Sequence, residues 1–219
     1  MRPIVHPTYV AIALSALAAA STGTRRPDAG PANPDRVKLE TFLATHDVSS
    51  AGEIRAIASA PDRALIAIAT DAHADRLTRA RAMAALRLLP SPAVQAFLEK
   101  FIEENAKDTD ATLRLLLRRA AVGLGWMPGS DTPEQLSLLF ENEDADVRLD
   151  AVLGIGMTRS ATAADVLRKQ LAVETAPRVR DQIRRQIDVL GEPEVKPEKP
   201  PAAKKPAREP THEPMRGGF

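Results

Sequence analysis

The chain has 219 residues, with 30 basic against 29 acidic side chains, 44% hydrophobic content, 18 prolines and a formal net charge of +1. That length allows one domain or two small ones and supplies enough apolar material for a core. No cysteine and only 3% aromatic residues exclude disulfide scaffolds, cysteine-based metal sites and thiol nucleophiles, and argue against base-stacking platforms; near-neutrality argues against a generic polyanion binder.

In chain order, Arg2 and His6 precede an apolar stretch over residues 9–20, followed by Ser21-Thr22-Gly23. A positive start, a short apolar segment and Ala18-x-Ala20 fit a secretory signal over residues 1–23, cleaved before Ser21. The twelve-residue stretch is too short to span a bilayer as a helix, so no stable membrane span is expected once the signal is removed. The protein is therefore expected to be exported, periplasmic or secreted. Arg25 and Arg26 place more fixed positive charge after the stretch than before it, which counts against export; N-terminal membrane association is the alternative. Residues 24–34, with Pro27, Pro31 and Pro34, read as a linker.

Residues 35–190 read as one helical domain. Its six prolines, Pro61, Pro90, Pro92, Pro128, Pro133 and Pro177, fall where a helical pattern stops or starts. Ser91-Pro92 and Thr132-Pro133 read as an N-cap followed by proline at the first helical position, and Ser50 with Glu53 and Thr132 with Gln135 have capping-box spacing. Apolar residues recur at three and four, as in Val94, Phe97, Leu98, Phe101 and Ile102, and no run alternates at strand length. The predicted elements are a leading helix over 35–46, a short one over 52–59, and four pairs: 62–70 with 75–89, 92–105 with 109–126, 133–141 with 144–157, and 161–174 with 176–190. In the last helix Val179, Ile183, Ile187 and Leu190 make one apolar stripe opposite Arg178, Asp181, Gln182 and Arg185, which suits the closing unit of a stack. Residues 191–219 hold seven of the 18 prolines, with six basic and five acidic residues interleaved; they are expected to be disordered and partly polyproline II, a spacer or a docking tail.

Setting Ala80, Leu116, Val147 and Val179 in one column gives spacings of 36, 31 and 32 residues, the period of a helical solenoid with two helices per unit. Asp146-Val147-Arg148-x-x-Ala151-x-Leu153-Gly154 resembles the second helix of a HEAT repeat, particularly the short bacterial variety also seen in phycobilin-lyase-like proteins. The resemblance covers roughly residues 61–190, and Leu117 departs from it in the arginine column. It implies an all-α superhelix of about four helix pairs. Arg81, Val147, Arg148, Ala151, Gly154, Val179 and Arg180 become its structural repeat positions. The resemblance also implies that the column arginines bond to a neighbouring repeat's Asp or carbonyls, with Asp75, Asp110, Asp144 and Asp146 placed to serve.

Candidate chemistry is sparse. Gly123-x-Gly125 and Gly154-x-Gly156 do not follow strands and recur at one repeat position, so close helix packing and helix termination explain them better than phosphate binding. Asp71-x-His73-x-Asp75 offers three possible metal ligands, but a spacing of two does not place them on one helical face; the segment reads as a turn in which Asp75 or a neighbour caps the next helix. No catalytic, metal or cofactor residues are assigned.

Charge is unevenly distributed: residues 131–150 carry seven acids and one base, whereas residues 159–185 carry seven bases and three acids. Glu141, Glu143, Asp144, Asp146 and Asp150, with Arg178, Arg184 and Arg185, are therefore the candidate partner-binding residues, solvated faces being the bland alternative. The expected function is a non-catalytic protein–protein interaction scaffold of the bacterial cell envelope, holding an unidentified protein or peptide on a surface lined by the second helices. The alternative is a HEAT-fold enzyme or enzyme accessory, lyase-like or nucleic-acid-directed. The net charge of residues 35–190, 21 basic against 23 acidic, and the single Trp count against nucleic acid.

Overall fold

Short polar residues before prolines and before apolar periodic runs start most of the helices. In the computed structural model, which describes residues 33–129 and 131–191, Ser50 and Glu53 form a reciprocal capping box at the start of α2 (Ala51–Ile57). The Asp75 carboxylate accepts from the N–H groups of Leu77 and Thr78 to open α4 (Arg76–Ala85). Ser91 caps α5 (Pro92–Asn105), Asp110 caps α6 (Ala111–Gly125) and Asp144 caps α8 (Ala145–Thr158). Backbone N–H groups stabilise the charged form and hold the Asp75 and Asp110 carboxyls below their ordinary values, the bonds from Thr78 and Leu113 contributing most. Proline opens α1 (Pro34–Thr45), α3 (Pro61–Thr70) and α10 (Pro177–Gly191), where its missing N–H costs nothing. The remaining helices are α7 (Thr132–Ser137), which continues as a 3₁₀ turn to Glu141, and α9 (Ala163–Val173).

One cap differs from the sequence reading. Thr132 lies inside α7 rather than before it: Asp131 holds the N-cap position, no side-chain capping bond forms, and the capping box with Gln135 is absent. The Thr132 side chain is instead buried, with its hydroxyl lacking a hydrogen-bond partner among the described residues.

Among the described residues the chain is all-helical, with ten α-helices, two short 3₁₀ turns and no strand. The helices pair in sequence, α3 with α4, α5 with α6, α7 with α8 and α9 with α10. The second helices α4, α6, α8 and α10 pack successively along one layer; α3, α5, α7 and α9 form the other, and α1 covers the open end against α3 and α4. The core lies between the layers, from Leu39, Leu43 and Leu65 through Met83, Leu98, Leu116 and Leu124 to Val152, Leu167 and Ile183. The α6–α8 contact is the closest in the stack. A Cβ on Gly125 would collide with the backbone of Gly154, and one on Gly154 would collide with the Ala121 carbonyl. The two helices touch backbone to backbone because neither residue carries a side chain. Gly125 also ends α6, whereas Gly156 sits within α8 against Gln186.

The expected signal segment, the linker up to residue 32 and the tail from residue 192 lie outside the described residues. No helix among those described is long and apolar enough to cross a membrane.

Candidate functional site

The register of the second helices decides which side chains share a surface. Buried residues in α8 include Val147, Ala151, Val152, Gly154 and Ile155, and those in α6 include Leu116, Ala120, Ala121, Gly123 and Leu124, five positions that share an offset of 31; Leu149 and Leu117 are buried without such a counterpart. In α4 the same pattern falls at Thr78, Ala82, Met83, Ala85 and Leu86. Thr78, not Ala80, therefore belongs in the column with Leu116, Val147 and Val179, which moves the repeat arginine from Arg81 to Arg79.

Hydrogen bonding agrees with this correction. Arg79 donates to the Ala69 carbonyl near the end of α3. Arg148 donates to the carbonyls of Asn142 and Glu143, at 2.8 and 2.9 Å, and Arg180 donates to those of Leu171 and Glu174, at 3.1 and 2.8 Å. Each guanidinium closes the last turn of the helix or 3₁₀ turn before its own, satisfying carbonyls that have no intrahelical partner. These carbonyl bonds stay within a pair, while Arg148 also reaches a carboxylate of the neighbouring pair, that of Glu174. Arg81 instead reaches α1, through the carbonyls of Leu43 and Ala44 and the carboxylate of Asp47.

Two residues overlooked in the sequence complete the scheme. Where Leu117 replaces the arginine, Asn142 of the following pair donates to the carbonyls of Ala106 and Asp108, at 2.7 and 3.2 Å. Glu174, buried at 4% exposure, takes a two-point contact from Arg148, at 2.9 and 3.0 Å, and also accepts from Gln170 and from the N–H groups of Thr175 and Ala176 before α10. Burial pushes its carboxyl up, but Arg148 and the N–H of Ala176 more than offset this and hold it at about 2.

The acidic residues singled out as partner-binding candidates are largely engaged within the chain. Asp144 caps α8 and pairs with Arg114. Asp146 pairs with Arg118 of α6 and Arg178 of α10, Asp150 pairs with Arg118, and Glu141 meets Lys107. Arg184 bonds to Asp181 and Arg185 to Gln182 on their own helix, while Glu143 is exposed. The acidic run and the basic run are thus partly mutual partners, with α8 held between cations of its two neighbours.

The same register exposes a different surface. On the outer side of the second-helix layer lie Leu77, Arg81, Ala84 and Leu88 from α4 and its following 3₁₀ turn; Leu115, Arg119, Val122 and Trp126 from α6; Asp146, Asp150, Leu153 and Met157 from α8; and Arg178, Gln182, Arg185 and Val189 from α10. None of these sixteen positions is buried. Trp126, Met157 and Val189 stand at equivalent positions and are 58%, 39% and 56% exposed, and Leu77 is 54% exposed. A shallow groove of about 200 Å³ between α4 and α6 is lined by Leu77, Ala80, Arg81, Leu115, Arg119 and Asp47. The α4–α6 half of the face is apolar with guanidinium groups set among its aliphatic chains, and the α8–α10 half is a zone of closed ion pairs. The sequence signal for this rank was available: an exposed apolar residue ten positions after Leu116, Val147 and Val179.

Among the described residues no group of three or more His, Asp and Glu side chains is placed to hold a metal. In the Asp71-x-His73-x-Asp75 turn, Asp71 receives the N–H of His73 and pairs with Arg36, while Asp75 is the cap of α4. No family model, no curated protein and no solved structure matches this chain.

Proposed function

We propose that this chain is a HEAT-like helical-repeat interaction module, non-catalytic, that holds a protein or peptide on the open face of α4, α6, α8 and α10. The observation that carries the reading is the rank of exposed apolar side chains Trp126, Met157 and Val189 at equivalent positions, with Leu77 exposed at another position of the same face, on helices packed in register. Large apolar groups left in water at repeated positions mark an interaction surface better than scattered ones do. Pairwise helix stacking, the column of carbonyl-capping arginines and the glycine contact between α6 and α8 support the repeat-family reading. The site of action we propose is the cell envelope, on the strength of the signal-like residues 1–23; the partner is a protein or peptide with apolar side chains and a carboxylate to meet Arg119.

Photo-crosslinking tests it. A crosslinker at position 119 or 122 should capture a discrete envelope protein, and the same group at Glu99 of α5, on the other layer, should not. Equal capture from both faces, or capture from α5 alone, would refute the assignment.

A further inference from the structure

The groove between α4 and α6 is built in rungs. Apolar pairs, Leu77 with Leu115, Ala84 with Val122 and Leu88 with Trp126, stand at equivalent positions along the two helices and the turns that follow them, and none of the six is buried. Between the first and second of these pairs the rung is Arg81 with Arg119. Arg81 is held by Asp47 and by the carbonyls of Leu43 and Ala44. Arg119 is exposed and makes no hydrogen bond or ion pair among the described residues. Successive rungs are separated by four, three and four residues, a run of about 16 Å along the helices.

We propose that this groove receives one amphipathic helix of the partner, whose buried stripe carries three apolar side chains and one Asp or Glu at the same four-three-four spacing; this rests on the interaction-module reading above. The polarity of the groove selects a helix over an extended segment. Its polar groups are the two guanidiniums, the Trp126 indole N–H and, at the rim, the Asp47 carboxylate already bonded to Arg81. An extended peptide laid there would lose the water on its backbone N–H and C=O groups and find almost nothing to replace it, whereas a helix satisfies those groups internally. The spacing agrees, because steps of three and four are those at which one face of a helix recurs, and two packed helices leave a furrow in which a third lies. Charge selects the acid. Covering the Arg119 rung with an apolar stripe takes its guanidinium out of water, which is costly unless a carboxylate accepts from it, and that pairing can be two-pronged. The space at this rung, about 200 Å³ lined by Leu77, Arg81, Leu115 and Arg119 among others, holds a side chain rather than a buried small molecule.

A displayed library of helical peptides, randomised on one face and selected on the full-length protein, tests it. Enriched peptides should carry apolar residues and one Asp or Glu at four-three-four spacing, with the acid at one of the two inner positions. The same selection on Arg119→Glu, a change at an exposed site, should enrich Lys or Arg there instead. A peptide selected on the natural protein should bind that variant about tenfold more weakly or worse, and Arg119→Lys should recover most of the loss. A proline at a solvent-facing position in the middle of the peptide should abolish binding, because it breaks a helix. Enrichment of a stripe without an acid overturns the proposal, as does an acid still selected by Arg119→Glu. Binding that survives the proline would place an extended segment in the groove, and self-association of the protein through this face with no peptide enriched would place a second copy there; either result overturns it too. Crosslinking at position 119 separates the two ideas. A captured envelope protein whose contact segment is not an acid-bearing helix sinks this inference alone, whereas acid-striped peptides selected in vitro without any envelope capture sink the partner reading alone.

Discussion

Replacing Glu174 with Gln removes one negative charge from a buried site without changing its shape. Arg148, on α8, then keeps its carbonyl contacts to Asn142 and Glu143 but faces a neutral amide where two charge-assisted bonds stood. A carboxyl held at about 2 in the folded protein against an ordinary value of 4.5 contributes about 3 kcal/mol at neutral pH. That falls at the lower end of the ~3–5 kcal/mol measured when one partner of a buried ion pair is removed. The sign follows from proton binding: below pH 4.5 the unfolded carboxyl takes up a proton that the folded one refuses until about pH 2, so this stability is complete above 4.5 and is lost on descent to 2. Urea unfolding followed by far-UV circular dichroism should show Glu174→Gln less stable by about 3 kcal/mol at pH 7, with the gap closing through that window. A loss below about 1 kcal/mol, the range of an exposed ion pair, or a gap that does not change with pH, would refute the reasoning.

Other substitutions test separate parts of the structure. Gly154→Ala, whose Cβ meets the Ala121 carbonyl, should force α6 and α8 apart and cost about 1–3 kcal/mol in thermal or urea unfolding. Gly123→Ala, which meets only a Leu98 methyl at 3.5 Å, should instead stabilise by roughly 0.5–1 kcal/mol. Thr132→Val removes a buried hydroxyl without a partner and should raise stability by about 1 kcal/mol in the same assay, while Ser91→Ala, which deletes the cap on Val94 N–H, should lower it by about 1 kcal/mol. Asn142→Ala strips the bonds to Ala106 and Asp108 and should cost about 1–3 kcal/mol. Faster amide hydrogen exchange should then appear at the end of α5 as well as at the mutated site.

Helix boundaries were legible because the chemistry that sets them is local. Prolines and capping side chains lie within three residues of the ends they define, and the α5 range of Pro92–Asn105 matches the expected one at both ends. Thr132 misled because its spacing to Gln135 is right for a cap while its side chain serves packing instead. The register of α4 was not legible. Arg79 and Arg81 flank Ala80 in a stretch where alanine alternates with larger residues, so the small side chains point to no face of their own; packing against α6 chooses between the two arginines. The charge asymmetry was visible, but its partners lie about 30 residues apart in sequence, as in Arg118 with Asp150 and Arg178 with Asp146. Only the stacking of α6, α8 and α10 brings the acids of α8 to Arg114 and Arg118 on one side and Arg178 on the other.

Asn142 also determines where the stack can be divided. The other pairs with a column arginine finish their own loops and are chemically self-contained in that respect, but the α5–α6 pair borrows its carbonyl donor from the segment after α7. A cut between α6 and α7 would leave two carbonyls of the preceding unit unanswered, whereas a cut between α4 and α5 would not sever this donor. The second and third pairs are therefore coupled through Asn142, as the third and fourth are through Arg148 and Glu174, and shuffling, duplication or loss of a unit would have to replace these contacts.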